Sequence, residues 1–253
     1  MTLVLAAHGT RQASGVAEVQ RLAEAVRAEL DGRTVEVGFV DVLGPTPAEL
    51  LREVDGPAVV VPAFLASGYH VRSDVPREVA ESGHGDVAVT RALGPDPLLA
   101  RVGHERLREV GWSDTDTVVL AAAGSSDAQA LAQVQCAACM LGIQLDRPPV
   151  AVGYVATASP RVPEAVALAR AAGAGRVVLA PYLLAPGLFH TGLAQAGADA
   201  VAAPLGVHPL VVALVVARYL SALEPAGVGP GRVVGGREYS EGQRPLRPRL
   251  RRQ

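Results

Sequence analysis

Lysine is absent from this chain of 253 residues, so all 23 of its Lys and Arg positions are arginine. The absence excludes catalysis through a lysine Schiff base. It also excludes a Walker-type phosphate loop, which depends on a lysine that contacts the phosphates. Arginine remains available to hold carboxylates with two parallel hydrogen bonds.

Aromatic residues and cysteine are scarce as well. Aromatic residues make up 4% of the chain and hydrophobic residues 49%, so the core has to consist mainly of Ala, Val and Leu. Such a core suits a helix-covered parallel sheet better than an aromatic-rich β-sandwich. Two cysteines are too few for a disulfide framework. The formal net charge of −2 provides no overall basic field, so we expect no nucleic-acid partner.

Long hydrophobic runs are also missing. The longest late apolar run, residues 210–217, is far too short to span a bilayer. No basic segment precedes the first apolar run, so the N-terminus does not resemble a signal peptide. We therefore expect a cytoplasmic protein with no membrane partner. From residue 225 onward Gly, Pro and Arg dominate without periodicity, which predicts a disordered tail at 225–253. A basic arm that contacts an acidic partner is the alternative.

Four segments of the first half recur in the second half in the same order. The first, LVLAAHGT at 3–10, matches VVLAAAGS, which lies 115 positions later. The second, VGFVDV at 37–42, matches VGYVAT at the same offset. The other matches pair VVVPAFLASGYH with VVLAPYLLAPGLFH and LGPDPLL with LGVHPLV, at offsets of 119 and 112. Chance explains such an order poorly, so we infer an internal duplication with small loop insertions.

Each half has the pattern of four strands that alternate with four helices. Continuous apolar runs predict strands buried on both faces, at residues 3–7, 35–41, 58–65, 87–90, 117–122, 150–156, 176–184 and 200–203. Prolines stand where helices can begin, at positions 47, 76, 97, 163 and 209. The pattern predicts an α/β protein of two similar lobes, each a parallel sheet flanked by helices. We expect the lobes at 1–112 and 113–224, facing each other across a cleft.

Three polar side chains of the first half arrive at the ends of predicted strands. His8 follows the first strand, Asp41 closes the second, and His70 follows the third after a short loop. In open parallel sheets, ligands bind beyond the carboxyl ends of the strands. Two imidazoles and a carboxylate suit a divalent transition metal such as Fe, Co, Ni or Zn, and they also suit proton abstraction near neutral pH. Taken singly, each histidine also fits an ordinary loop residue, and Asp41 a cap or a turn residue.

The second half keeps the scaffold but lacks most of this polar set. The counterparts of His8, Asp41 and His70 are Ala123, Ala156 and Phe189. The loss of the whole set predicts one asymmetric site that serves both lobes. His190, which follows Phe189, leaves open a contribution that closes the cleft from the second lobe.

Cys136 and Cys139 have the C-x-x-C spacing found in redox and metal sites. The chain has no second cysteine pair, so it cannot build a four-cysteine site by itself. We expect the two cysteines to pack as small residues one helical turn apart. The nearby segment GSSD lacks the G-x-S-x-G pattern of a serine nucleophile, and we expect Ser126 or Asp127 to cap the following helix.

The strand-end motifs resemble those of a known family. HGT follows the first strand, FVD ends the second, and P-x-F-L-x-x-G-x-H-V-x-x-D-V-P spans 62–76. Together they resemble the sirohydrochlorin chelatases, the class II tetrapyrrole chelatases, over roughly residues 3–223. The resemblance implies an enzyme that inserts Fe²⁺ or Co²⁺ into sirohydrochlorin, on the route to sirohaem or cobalamin. It implies that neither ATP nor an organic cofactor takes part.

The resemblance also implies roles for individual residues. The family's two motif histidines, which bind metal and accept pyrrole protons, fall on His8 and His70. An assisting acidic residue falls on Asp41, where the family more often has Glu. The substrate is rich in carboxylates, and we expect arginine and hydroxyl groups to hold its rim and small residues to admit the ring. The residues expected to bind it are Arg11, Thr10, Gly68, Arg72, Ser73 and His190.

Two other functions use the same residues. A two-lobed metal or tetrapyrrole carrier without turnover would keep its ligand between the lobes. A phosphate-binding Gly-rich loop or a fuller carboxylate set would favour a different metal-assisted α/β enzyme, such as a hydrolase with an activated water, and the sequence has neither. Because two fused lobes can build a cleft without a second subunit, we expect a monomer.

Overall fold

The computed structural model describes residues 1–224, in which eight strands alternate with eight helices. The strands are β1 Thr2–Ala7, β2 Val35–Phe39, β3 Ala58–Pro62, β4 Val87–Val89, β5 Thr117–Ala122, β6 Ala151–Tyr154, β7 Val177–Tyr182 and β8 Ala200–Val201. The helices are α1 Ala13–Glu29, α2 Pro47–Glu53, α3 Val75–Ser82, α4 Pro97–Glu109, α5 Ala128–Gln144, α6 Val162–Ala171, α7 Leu188–Gly192 and α8 Pro209–Ser221. A π-helical turn, His70–Asp74, leads into α3. The predicted tail at 225–253 lies outside the described residues.

The strands of the described chain form two four-stranded parallel sheets. Their orders are β2-β1-β3-β4 and β6-β5-β7-β8, so the second sheet repeats the topology of the first. Leu5 of β1 lies opposite Val37 of β2, and Leu120 of β5 lies opposite Val152 of β6. The two pairs are 115 positions apart, as in the sequence repeat. The predicted α/β fold of two similar, duplicated lobes is therefore confirmed, and the strand register also repeats between the lobes.

Prolines and capping side chains begin the helices where the sequence predicts. Helices α2, α4 and α8 start at a proline, and Pro76 and Pro163 stand in the first turns of α3 and α6. A proline costs little there, because the first N–H groups of a helix have no partner within it. Asp127 accepts hydrogen bonds from the backbone N–H groups of Gln129 and Ala130 and thereby caps α5, as predicted.

Several strands end earlier than the apolar runs predict. Strand β2 stops at Phe39 because the backbone soon turns at Val42, whose φ is +64°. Strand β3 stops at Pro62, one residue before the last backbone hydrogen bond to β1, from the Ala63 N–H to the Ala6 carbonyl. Strand β8 keeps only Ala200 and Val201 at the edge of its sheet. The shorter strands lengthen the loops at the carboxyl edge of each sheet.

The two lobes share one apolar core. A single cluster of buried side chains includes Leu5 and Val61 of the first lobe together with Leu120 and Tyr182 of the second. Helix α4 packs against α5 and α8, and α1 also packs against α8. Two smaller clusters, one from each lobe, complete the apolar packing among the described residues. The shared core holds the two sheets in a defined relation to each other.

Helix α5 overturns one expectation. Its buried stripe runs through Val134, Ala138 and Leu141, against the core. Cys136 and Cys139 fall outside this stripe and are exposed, so the prediction that they pack is wrong.

Within residues 1–224, no helix combines the length and the apolarity needed to cross a membrane.

Candidate metal centre

His8, Asp41 and His70 meet at the carboxyl edge of the first sheet. His8 directly follows β1, Asp41 lies two residues beyond β2, and His70 begins the π-helical turn after β3. One ligand atom from each side chain can be chosen such that all three lie within 4.8 Å of one another. The two imidazole centroids are 5.1 Å apart. In the part of the chain that the structure describes, no other group of three or more such side chains comes together in this way.

Asp41 orients His8. Its Oδ1 lies 2.9 Å from Nδ1 of His8 and accepts a hydrogen bond, also of 2.9 Å, from the backbone N–H of Gly9. A Cβ on Gly9 would overlap the backbone oxygen of Asp41, so only glycine allows this close approach. Because Nδ1 is occupied, His8 has Nε2 available for a ligand.

Asp74 holds His70 in the corresponding way. Its Oδ2 lies 2.6 Å from Nδ1 of His70, and its Oδ1 lies 2.8 Å from a guanidinium nitrogen of Arg77. The Asp74 side chain is buried, whereas the His70 side chain is 39% exposed. The ring of Phe64 stacks against the imidazole, with 5.9 Å between centroids. His70 therefore also has Nε2 available for a ligand. Its contacts with Asp74 and Phe64 set the orientation of the ring.

Sequence reasoning missed the part played by Asp74. The signal was present, because Asp74 follows His70 by four residues in the segment HVRSDVP, just before the proline that begins a helix. A four-residue spacing on a helical turn places two side chains side by side. The family resemblance of this motif assigns no separate role to its aspartate.

The donor set suits a transition metal that is bound and then released. Imidazole nitrogens favour Fe, Co, Ni and Zn, and a carboxylate oxygen adds a harder ligand. Oδ1 of Asp41 is used on His8 and Gly9, which leaves Oδ2 for an ion. The Nε2 atoms of His8 and His70 are also suited to accept protons from a substrate.

The second sheet repeats the backbone of this centre without its chemistry. Ala123 and Ala156 stand where the first sheet has His8 and Asp41. A Cβ on Gly124 would overlap the backbone oxygen of Ala156, as one on Gly9 would overlap that of Asp41. Thr157 also has the positive φ of its counterpart Val42, at +63°. The second lobe thus has the backbone of the centre but no donor side chain at the positions equivalent to His8 and Asp41.

Arg72 lies beside the centre but is bound to the second lobe. Its guanidinium forms an ion pair with Asp127 and a hydrogen bond with Oε1 of Gln129. Burial opposes ionisation of Asp127, but hydrogen bonds from the Gln129 and Ala130 N–H groups and the charge of Arg72 hold its pKa below the usual range. Arg72 therefore connects the π-helical turn of one lobe to the first turn of α5.

The other residues predicted to bind substrate differ in their surroundings. Arg11 and Ser73 are exposed, and Arg11 makes no hydrogen bond or ion pair within residues 1–224. Oγ1 of Thr10 accepts a 3.2 Å hydrogen bond from the Gln12 N–H. Gly68 faces α5, since a Cβ on it would lie 3.6 Å from the Ala130 Cβ. His190 stands apart from the metal-ligand group; its Nε2 is 3.1 Å from the Ala202 carbonyl oxygen.

Comparison with known proteins places this geometry in a family. The sequence model of the CbiX family matches residues 2–110 and, a second time, residues 117–222. A sirohydrochlorin cobaltochelatase of Methanopyrus kandleri is 28% identical over 137 residues, covering 43% of this chain and 96% of the relative. A sirohydrochlorin ferrochelatase of Priestia megaterium is 26% identical over 187 residues, 70% of each chain.

Solved structures have the same fold. SirB from Bacillus subtilis with Fe³⁺ has a TM-score of 0.74 at 20% identity, over 88% of this chain and 96% of SirB. SirB of Bacillus subtilis subspecies spizizenii in complex with cobalt has a TM-score of 0.73 at 19% identity, over 89% and 97%. Because the two family matches cover both lobes and nearly all of residues 1–224, this chain belongs to the CbiX family.

Proposed function

We propose that this protein is a sirohydrochlorin chelatase that inserts Fe²⁺ or Co²⁺ into sirohydrochlorin, in sirohaem or cobalamin biosynthesis. The observation that carries the proposal is the convergence of His8, Asp41 and His70 within 4.8 Å. The family match and the activities named for the relatives from Methanopyrus kandleri and Priestia megaterium support it. The metal is a substrate of the reaction, and no organic cofactor takes part.

His8 and His70 account for both the binding of the metal and the removal of the pyrrole protons. Insertion exchanges two pyrrole protons for one dication. His8 and His70 bind the metal through Nε2, since a carboxylate occupies Nδ1 of each. When the ion moves into the ring, each Nε2 becomes free and accepts one pyrrole proton. The two protons then pass to water, because the His8 and His70 side chains are 55% and 39% exposed.

The site is suited to transfer rather than storage. Asp41 adds its Oδ2 to the two imidazoles, and no thiolate is present in the group. A set of nitrogen and oxygen ligands holds these ions less tightly than a closed thiolate cage, so the ion can pass to the four pyrrole nitrogens. The partly exposed position of the ligands favours turnover over a carrier that retains its ligand.

Arg11 is the better placed of the two arginines expected to hold substrate carboxylates. It is exposed and has no partner among the described residues, so it can form a bidentate pair without breaking another. Arg72 would first have to leave Asp127 and Gln129. Thr10 and Ser73 supply hydroxyl groups near the same edge, whereas the missing side chain of Gly68 makes room for α5.

The test is an anaerobic absorbance time course with sirohydrochlorin and either Co²⁺ or Fe²⁺. We expect His8→Ala and His70→Ala each to lower kcat/KM by about 10²- to 10⁴-fold, because each removes a metal ligand and a proton acceptor. His104→Ala is the matched control; His104 lies on α4 and packs against Trp112, so normal rates are expected. The rates with the two ions rank the metals.

Two outcomes would contradict the proposal. Conversion by the wild-type protein no faster than in its absence would exclude a chelatase. Stoichiometric binding with slow release and no turnover would support the carrier instead. The monomeric state, the cytoplasmic location and the absence of nucleic-acid and membrane partners stay predictions, to be examined by sedimentation and by fractionation of cells.

A further inference from the structure

Half of the exposed large apolar side chains lie at the carboxyl edges of the two sheets. Among residues 1–224, the large hydrophobic side chains that are exposed are Met1, Val42, Tyr69, Ile143, Leu168, Leu188, Phe189 and Leu220. Val42 and Tyr69 follow β2 and β3 in the first lobe, and Leu188 and Phe189 follow β7 in the second. Exposed apolar groups that gather beside a site indicate a ligand surface more strongly than single ones elsewhere.

Helix α7 presents its apolar residues to solvent. It buries none of its five residues, and Leu188 and Phe189 are 72% and 44% exposed. His190, the next residue, is turned toward the second lobe, where Nε2 lies 3.1 Å from the Ala202 carbonyl oxygen. This contact anchors the short helix to its own lobe, while Leu188 and Phe189 stay exposed.

The segment before α7 lies against the loop that carries His8. The carbonyl oxygen of Pro186 lies 2.9 Å from the point where a Cβ on Gly15 would stand. The methyl group of Thr10 lies 2.7 Å from the same point, and Thr10 follows His8 by two residues. Pro186, two residues before Leu188, therefore lies close to Thr10, two residues after His8.

The reciprocal contact brings the first lobe's loop to the second lobe. A Cβ on Gly68, two residues before His70, would lie 3.6 Å from Ser125 Oγ and from Ala130 Cβ. Oε1 of Gln133 accepts a 2.6 Å hydrogen bond from the N–H of Ser67. The loops after β3 and β7 thus each contact the first helix of the other lobe, and Tyr69 and α7 directly follow these two contacts along the chain.

We propose that Leu188 and Phe189, together with Tyr69, form an apolar platform that binds the flat face of the tetrapyrrole substrate. Phe189 is the repeat counterpart of His70, so the duplicated position binds metal in one lobe and the ring in the other. A tetrapyrrole has an apolar face and a rim of carboxylates, and an exposed benzyl and isobutyl pair matches the face. The platform rests on the proposed function, because it takes sirohydrochlorin as its ligand.

The experiment compares Leu188→Ala/Phe189→Ala with Leu168→Ala, a leucine of α6 that is 64% exposed. Metal-free sirohydrochlorin is titrated against each protein, and Co²⁺ alone is titrated separately. From the apolar area lost, we expect the double variant to bind sirohydrochlorin about tenfold more weakly and to raise KM similarly. The kcat and the Co²⁺ affinity of the double variant should match those of the wild type. The control Leu168→Ala should match the wild type in all four measurements.

Folding and function are controlled separately. The two side chains are exposed, so the thermal midpoint of the double variant should stay near that of the wild type, and Phe189→Tyr, which keeps the ring, should keep the affinity. Unchanged sirohydrochlorin binding and KM in the double variant, with normal turnover, would overturn the platform and leave the chelatase standing. If the double variant binds sirohydrochlorin more weakly than the wild type, but the wild type inserts no metal, the platform is supported and the proposed activity is overturned. Absence of sirohydrochlorin binding by the wild type would overturn both.

Discussion

At the residue scale, Asp74 links the buried interior to the candidate metal centre. Its two carboxylate oxygens are divided between His70 Nδ1, at 2.6 Å, and Arg77, at 2.8 Å. A carboxylate behind a metal-binding histidine fixes which ring nitrogen carries the proton and keeps the other one free. Asp74 is therefore expected to act through His70, as a positioning residue that does not itself touch the substrate.

Asp74→Asn should lower kcat/KM for metal insertion by about 10- to 100-fold, the usual effect of removing such a partner. The amide keeps the shape of the side chain but can present its NH₂ to the ring, which disturbs the orientation and tautomer of His70. Rates are measured with sirohydrochlorin and Co²⁺, and Co²⁺ binding is titrated separately. Asp55→Asn, at an exposed position before β3, serves as the control. An Asp74→Asn protein as active as the wild type would contradict the role.

At the element scale, α8 of the second lobe is fastened to the first lobe by Arg218. The side chain is buried and donates to the carbonyl oxygens of Ala92 and Leu93 at 3.1 Å each. It also forms a 2.9 Å ion pair with Asp96, the residue that caps α4. One guanidinium therefore satisfies two backbone carbonyls and a carboxylate at the contact between lobes.

Arg218→Met should lower the free energy of unfolding by about 3 kcal/mol, because it removes the donor of two carbonyl groups and the nearer ion-pair partner of the largely buried Asp96 carboxylate. Urea unfolding, followed by circular dichroism, gives the difference from the wild type. Arg101→Met, at an exposed position on α4, should change the stability by less than about 0.5 kcal/mol. Equal effects of the two substitutions would show that the Arg218 contacts add nothing to the free energy of unfolding.

At the scale of the whole molecule, Asp116 organises the segment that joins the lobes. Its Oδ2 accepts a 2.8 Å hydrogen bond from the Ser113 N–H and lies 2.6 Å from Arg176, which also donates to the Gly111 carbonyl. The Ser113 hydrogen bond and the Arg176 guanidinium, working against burial, hold the pKa of Asp116 below its usual range. The unfolded chain therefore binds a proton here more readily than the folded chain.

The stabilisation from Asp116 should be present at neutral pH and lost as the pH falls below about 4, through the lowered pKa of the folded state. Asp116→Asn removes it, so the difference in unfolding free energy from the wild type should be largest near pH 7 and shrink on acidification. Urea unfolding at pH 7, 4 and 3 measures this difference. Asp114→Asn, at an exposed neighbour, should match the wild type at pH 7. A difference that stays constant between pH 7 and 3 would contradict the assignment.

The position of the candidate site was predictable because parallel strands have their carboxyl ends at one edge. Three separate segments that deliver His8, Asp41 and His70 to strand ends must then meet, whatever the details of packing. The exposure of Cys136 and Cys139 was not predictable in this way, since a helix of mostly small residues leaves its buried stripe ambiguous. The pairing of Arg72 with Asp127 likewise depends on how one lobe lies against the other.

The sequence by itself determined the duplicated α/β topology, the helix starts and the edge of the sheet that carries the donor groups. These follow from local periodicity, proline and capping chemistry, and the repeat, all of which act over a few residues or are visible by comparison of the two halves. Only the tertiary structure decided that the lobes share a core, that Asp74 contacts His70, and that α7 leaves Leu188 and Phe189 exposed at the carboxyl edge of the second sheet. The shared core and the contact of Pro186 with α1 join residues more than a hundred positions apart, and the Asp74 contact depends on the exact path of a π-helical turn.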